Sequence, residues 1–563
     1  MHDLFGFGAS DFFALALAIL LALLVLALIP IEPIARRLAS RTRWCMFFLA
    51  VLTIVLRLAL LPAHPIPTPR GADDFSYLLL ADTLAHFHLA NPPHPMHRFF
   101  ETTFVLQEPA YSSIYPLGPA LALALGQVVF RLPWAGVVIS VAAFCSLCFW
   151  MLRGWTTPGW ALLGGLIAVC EFGPLSYWMN SYWGGAVSAA AGCLVFGALP
   201  RLRGRCRTRD AMLLGLGIGL QMLSRPYESI ILDLAVILFF LPAMATELRP
   251  KFAKREGAAL GKYAKLAAIT ALAVLPAVAL LPLHNHAVTG GFTTLPYELS
   301  RYQYGVPTTF TFQPNPVPHF HLTAVQQLYY EGQSAAHDAT PPFYSRLASR
   351  ASFTRFFLLP PLFLVLPFFL LLVREFRFAW LALTLLLFAL GSNFYPYFFP
   401  HYVAAAACLV MLAAVAGLER LSRFNYSAAR WIVILCAAHF LFWYGVNAFG
   451  SERVLSAMAE YNTWDIISHG DPEQRIAIDT QLARTPGKEL VFVRYGARHG
   501  YHEWIRNAAN IDSARVVMAL DLGPEDNEKL ERYYPDRAVW LLEPDAIPAR
   551  LTPYGAQTET VPK

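Results

Sequence analysis

Long apolar runs separated by short segments rich in Arg and Lys dominate this chain. The runs lie near residues 11–31, 44–62, 115–131, 133–152, 159–177, 183–200, 211–225, 227–245, 266–283, 356–373, 378–394, 402–418 and 431–449. About 20 such residues cross roughly 30 Å of hydrocarbon as an α-helix. The pattern therefore predicts an α-helical polytopic membrane protein of about 12 transmembrane helices. Residues 11–31 lack a basic leader and a small-residue cleavage site, so they read as a retained helix and not a signal peptide.

Charge orients the spans. "ARRLASRTR" (35–43), "RLRGRCRTR" (201–209), "RPKFAKREGAALGKYAK" (249–265), "REFR" (374–377) and "ERLSRFNYSAAR" (419–430) gather the basic residues and are expected on the cytoplasmic side. Putting both 35–43 and 201–209 inside requires an even number of crossings between them. The run 115–131, broken by Pro116, Gly118 and Pro119, is the weakest and reads as an external half-helix. Arg153 then lies inside, and "SYWMNSYWGG" (176–185) lies outside.

Three long pieces are left external: 63–114, 284–355 and a tail of 450–563. The tail turns charged and mixed. Its stretches 490–496, 514–523 and 538–545 read as strands and 524–534 as a helix, a strand, strand, helix, strand order that predicts a small C-terminal α/β extracytoplasmic domain. Residues 1–449 form the transmembrane domain. The whole belongs in a cell inner (plasma) membrane as a multi-pass protein.

Composition agrees: 56% of residues are hydrophobic and 14% charged. The net charge of +6 comes from short loops between apolar runs, a topology signal that gives no reason to expect nucleic acid. The eight cysteines fall in apolar segments or one Arg-rich loop, so no external disulfide framework is expected. Cys145 and Cys148 form a C-x-x-C inside an apolar run, where burial as small hydrophobes outweighs metal or redox chemistry.

Candidate chemistry opens the first external loop, "RGADDFSYLLLADTLAHFHLANPPHP" (70–95). It reads as a helix lying in the membrane interface, anchored by Phe75, Tyr77 and Phe87, with Asp73 and Asp74 at its positive N-terminal end. A carboxylate there can accept a proton from an acceptor hydroxyl or amine, or hold a divalent cation beside a phosphate. Simple capping by both acids is the alternative. Arg225, between two apolar runs, suits a phosphate or a local pair with Glu228. His401 suits a phosphate oxygen, a proton or an aromatic belt. Glu171, an acid inside an apolar run, suits a substrate or a partner on another helix. His284 and His286 alternate as metal ligands do, but no third ligand is near in sequence.

The order "GADDFSYLLLADTLA", "NPPHP", "YSSIYPLGPALALALG", together with "FPHYVAAA" (399–406), resembles the GT-C superfamily of membrane glycosyltransferases, in its protein mannosyltransferase and aminoarabinose transferase branches. The resemblance extends over most of residues 44–449. It implies a GT-C-like catalytic domain in which Asp73 matches the first acid of the family's Asp-Glu pair and acts as base, while Asp74 replaces the Glu. It further implies donor contacts from His401 and Tyr402 and, by position at an external helix end, Arg225. Relatives carry a second acid in the next external loop, where this chain has Asn180, Ser181 and Tyr182. Glu171 is the candidate substitute, and use of a divalent cation is left open. The implied activity moves a sugar from a polyprenyl-phosphate donor to a lipid, glycan or protein acceptor on the external face. A lipid-linked glycan ligase or polymerase, which would lean on external Arg and His, and a non-enzymatic transporter or flippase are the competing readings.

The topology has a direct test. Cysteines introduced at 284–355 or in the tail should react with a membrane-impermeant thiol reagent, whereas those at 249–265 should not; reversed labelling would overturn the orientation.

Overall fold

The computed structural model describes residues 32–555 except 70, 248–252, 307–309, 353–355, 397, 450–473, 497–498 and 500–502, together with residues 16, 19, 20 and 23. The expected first span, apart from those four positions, and the beginning of the tail thus lie outside the described residues. Two compact units make up the chain. One comprises Met1–Ile66, Ala135–Ala279 and Pro341–Ile467, the other Pro67–Trp134, Leu280–Thr340 and Ser468–Lys563.

The first unit is helical. Among the described residues of the chain, six helices are long and apolar enough to cross a membrane: Thr42–Ala59, Pro133–Leu152, Ala186–Gly204, Tyr263–Thr289, Pro400–Phe424 and Tyr426–Phe449. Apolar helices Pro158–Phe172 and Phe376–Ser392 are shorter. The run 356–373, expected as one span, is instead a 3-10 turn at Pro360–Val365 followed by a short α-helix at Leu366–Leu370. Pro360, Pro361 and Pro367 remove amide donors and clash with preceding carbonyls, so no continuous helix forms.

Small residues bring the helices together. Helix Ala407–Phe424 buries an almost continuous Ala, Leu and Val surface. A β-carbon added at Gly192 would collide with the Ala405 carbonyl oxygen, so only glycine lets helix Ala186–Arg205 approach the Pro400–Ala406 turn. Cys145 and Cys148 are fully buried in helix Pro133–Leu152, as expected of small hydrophobes.

The second unit is built on a four-stranded sheet of β3 (Lys488–Val493), β4 (Val516–Leu520), β5 (Arg537–Glu543) and β6 (Arg550–Pro553), in the order β4-β3-β5-β6. β4, β3 and β5 are parallel, and β6 adds antiparallel to β5. The expected strand, strand, helix, strand order is present, with helix Pro524–Tyr533 before β5 and β6 as an additional edge. A two-stranded ladder of β1 (Val105–Leu106) and β2 (Ser112–Ser113) lies in the first loop.

Alternation along the strands divides the core. Val491, Val493, Met518 and Leu520 pack with Ile478, Leu482, Trp504 and Ile505. Leu490, Phe492, Val517 and Ala519 pack with Leu79, Phe99, Phe100, Val105 and Tyr111 of the first loop. One face of the tail sheet thus shares its core with residues 79–111, while the other closes a core within the tail.

The first-loop helix, Ala72–Ala85, does not lie on a lipid surface as expected. Phe75, Tyr77, Leu79, Leu80 and Ala81 are buried inside the unit, and Phe87 alone of the three expected anchors is exposed. Apolar residues fall on every side of this helix, and a helix apolar all round is a core helix, not an interfacial one.

Gly192→Ala should lower the thermal midpoint by several degrees, reflecting about 1–3 kcal/mol of overpacking. Differential scanning fluorimetry of the purified protein reads this; an unchanged midpoint would mean that the helix and turn separate freely.

Candidate functional site

In the second unit the two acids have different surroundings. Gly71 caps helix Ala72–Ala85 in extended geometry, and its N–H donates weakly to Asp74 Oδ2 at 3.4 Å. Asp74 is buried in this first turn, which is the capping role. Asp73 is half-buried and accepts a short hydrogen bond from the Tyr115 hydroxyl. Burial pushes its carboxyl up to about 6, Asp74 adds to that rise, and the Tyr115 bond opposes it.

Tyr115 is itself held firmly. Its ring stacks on Tyr77 with centroids 4.5 Å apart, and its N–H donates to Ser113 Oγ at 3.0 Å. Ser113 Oγ meets Ser76 Oγ at 2.7 Å, and Ser76 donates to the Phe104 carbonyl at 2.7 Å. These bonds tie "YSSIY" to the first turns of the helix, so the motif expected to begin a half-helix also supplies the phenol on Asp73. Leu117–Phe130 is the 14-residue helix that follows.

In the first unit, Arg225 ends helix Thr208–Ser224 just before Pro226 starts the next one. Its Nη2 and Nε donate to buried Glu228 at 2.6 and 3.1 Å, which is the local pair. Tyr395 donates to the same Glu228 oxygen at 3.0 Å. The guanidinium lies 4.1 Å from the Tyr402 ring centre. His401 meets the Tyr177 hydroxyl through both its backbone N–H, at 3.0 Å, and its Nδ1, at 3.1 Å. Phe399 and Trp183 flank the imidazole, with centroids 5.7 and 5.3 Å away.

Arg225, His401 and Tyr402 are therefore brought together, and Asp73 and Asp74 form a second group in the other unit. Glu171 joins neither: it is 1% exposed in helix Pro158–Phe172, and its carboxyl oxygens make no hydrogen bond among the described residues. Asn180 has a structural task. Its side-chain oxygen accepts from buried Arg57 Nε at 3.0 Å, while Arg57 also donates to the His64 and Pro65 carbonyls at 3.1 Å.

Two further arginines join the Arg225 group. On helix Phe343–Ser352, Arg350 donates to the Tyr395 carbonyl at 2.7 Å and lies over Phe398, while Arg346 donates to the Asn393 carbonyl at 3.0 Å. Burial and the neighbouring Arg346 bring the Arg350 guanidinium down to about 10. Their signal in the sequence was "SRLASR", two basic residues four apart, which share one helix face. Glu101, in the first loop, was also missed; burial pushes it up to about 7, with Glu108 raising it and Arg98 lowering it. No group of three or more His, Cys, Asp or Glu placed to hold a metal occurs among the described residues.

No family model and no curated protein matches the chain. Among solved structures it is similar to ArnT from Cupriavidus metallidurans in the apo state, with 12% identity, 90% of this chain and 93% of that chain covered, and a TM-score of 0.48. The same protein bound to undecaprenyl phosphate gives 11%, 88%, 92% and 0.47. The Archaeoglobus fulgidus oligosaccharyltransferase in complex with Zn and sulfate gives 11%, 89%, 67% and 0.46.

The raised Asp73 carboxyl has a consequence for stability. A carboxyl whose folded pKa rises from 3.8 to about 6 stabilises the fold while protonated, below 3.8, and that contribution is lost as pH rises through 6. Asp73→Asn stays neutral and can still accept from Tyr115. The midpoint of the variant relative to the parent should therefore be higher at pH 7.5 than at pH 4.5, and an equal difference at both would refute the shift.

Proposed function

We propose that this chain is an integral membrane glycosyltransferase that moves a sugar from a polyprenyl-phosphate donor to an acceptor on the external face, through a bundle of about twelve spans. The observation that carries the reading is Asp73: a half-buried carboxyl beside Tyr115, raised to about 6. Such a group is ionised at neutral pH yet takes a proton more readily than a free aspartate, as general-base attack by an acceptor hydroxyl or amine requires. Asp74 holds the helix start that presents it. On the donor side, Arg225, His401 and Tyr402 are the proposed contacts to the phosphate, with Arg346 and Arg350 supplying further positive charge. Glu171 is kept as a substrate-side candidate. The protein is proposed to sit in the inner (plasma) membrane with its C-terminal part extracytoplasmic.

One observation favours a second reading. Three arginines and a histidine collected around Tyr395 and Tyr402 suit the two phosphates of a lipid-pyrophosphate glycan, the donor of a ligase or polymerase. Purified full-length protein assayed against polyprenyl-phosphate sugars and polyprenyl-pyrophosphate glycans separates the two. Release of the polyprenyl monophosphate only from the former supports the first reading, consumption of only the latter supports the second, and turnover of neither would sink both.

In the same assay Asp73→Asn should reduce turnover by about two orders of magnitude or more. Loss in Asp74→Asn with normal rates in Asp73→Asn would exchange the two roles, and full activity in both would remove this helix from the chemistry.

A further inference from the structure

A cavity of about 570 Å³ in the first unit lies at the ends of four helices, one of which, Thr208–Ser224, carries Arg225 at its other end. Its wall carries Arg43, Arg153, Arg201, Arg207 and Arg209, against Asp210 as the one carboxylate there among the described residues. Arginines at helix ends are ordinary in a membrane protein and usually extend into water. Three observations set this group apart.

The first is that the cations are concave and largely unneutralised. Arg201 is spent on the wall: it donates to the Gly197 and Trp150 carbonyls and lies 4.1 Å from the Trp150 ring centre. Among the described residues, Arg43, Arg153, Arg207 and Arg209 have no ion pair with a carboxylate; Arg153 Nη2 donates to Thr42 Oγ1 at 3.4 Å, while its Nε is buried without a hydrogen-bond partner. A buried guanidinium N–H left unmade is costly, and an anion oxygen would satisfy it.

The second is the backbone. Thr42 and Arg43 open helix Thr42–Ala59, and Arg209 and Asp210 stand in the first turn of helix Thr208–Ser224, so two positive helix ends add to the guanidinium charge. The third is what adjoins it. Phe47, Val51, Val55 and Leu58 are exposed and follow Arg43 at intervals of four, four, four and three along helix Thr42–Ala59. They form one apolar stripe headed by the arginine. A phosphate in the cavity and hydrocarbon along the stripe is the shape of a membrane lipid.

We propose that this cavity binds the phosphate headgroup of an anionic membrane lipid, through Arg43, Arg153, Arg207 and Arg209, with the acyl chains along the Thr42–Ala59 stripe. Basic pockets between membrane helices hold lipid phosphates in this way. The proposal stands apart from the transfer reaction and uses none of its residues. A soluble phosphate shares the headgroup chemistry but leaves the stripe unused.

The test uses full-length protein in a neutral detergent, titrated with phosphatidylglycerol, with phosphatidylcholine of the same chains, or with inorganic phosphate, and read by native mass spectrometry. Phosphatidylglycerol should be retained at least about tenfold more tightly than phosphatidylcholine. Arg207→Gln with Arg209→Gln, both on exposed side chains, should weaken it by about 25-fold, at about fivefold for each arginine near a phosphate headgroup. Arg153→Gln should weaken it as well. Equal retention of the two lipids, or unchanged retention in the double variant, would overturn the proposal. Binding of inorganic phosphate as tight as that of phosphatidylglycerol would overturn the lipid as its source.

Discussion

A polar side chain that leaves water inside an apolar bundle must find its partners there, because hydrocarbon supplies none. This constraint decides much of the first unit. Arg57, in the last turn of an apolar helix, is enclosed by the Asn180 side chain and two carbonyls, and that demand places the Tyr177–Asn180 turn against the end of helix Thr42–Ala59. Tyr177, in the same turn, then meets His401. Arg225, Glu228 and Tyr395 satisfy one another in the same manner. Groups proposed to meet a phosphate are thus carried on bonds whose first task is to keep polar atoms satisfied. Glu171 is one departure from this rule: its carboxyl makes no hydrogen bond among the described residues.

In the second unit the equivalent ties run between the first loop and the tail. Asp82, two turns beyond Asp74, accepts from Gln127 at 2.7 Å and from the Ala509 N–H at 2.7 Å. His94 meets Asp512 and Tyr534 at 3.1 Å. Phe99 and Phe100 enter the core that Phe492 and Val517 line. Burying one large aromatic there is worth about 3–5 kcal/mol against alanine, more than any of the single hydrogen bonds. Packing against the sheet therefore holds helix Ala72–Ala85 in place, and the polar ties set its rotation.

How far the sequence could be read follows from the range of each signal. Apolar runs, buried cysteines and the strand order of the tail are local patterns, and the structure has them. The short helix Leu117–Phe130 was legible because its breakers, Pro116 and Pro119, are visible in the chain. Prolines were equally visible in 356–373, but hydrophobicity alone outweighed them there. The burial of helix Ala72–Ala85 depends on strands four hundred residues away, so a boundary helix and a core helix could not be told apart from its own residues. Asp73 and Asp74 were legible as a pair, whereas the hydroxyl that distinguishes them comes from Tyr115. Arg346 and Arg350 lay in "PPFYSRLASRAS" (341–352), a stretch outside the long apolar runs, where nothing local marked them.

The difference between the two acids is a consequence of where each points from one helical turn. Asp74 is drawn back toward the Gly71 N–H, so its charge serves the helix end. Asp73 has no such backbone partner from Gly71 and meets a phenol instead, a donor that stabilises the carboxylate without neutralising it. Burial and the nearby Asp74 charge act in the opposite direction and prevail, which leaves the carboxyl near 6. In the proposed reaction this balance matters more than either influence alone. Without the burial, the carboxylate would be too weak a base to draw a proton from an acceptor; without Tyr115, more of it would be protonated at neutral pH and unable to accept one.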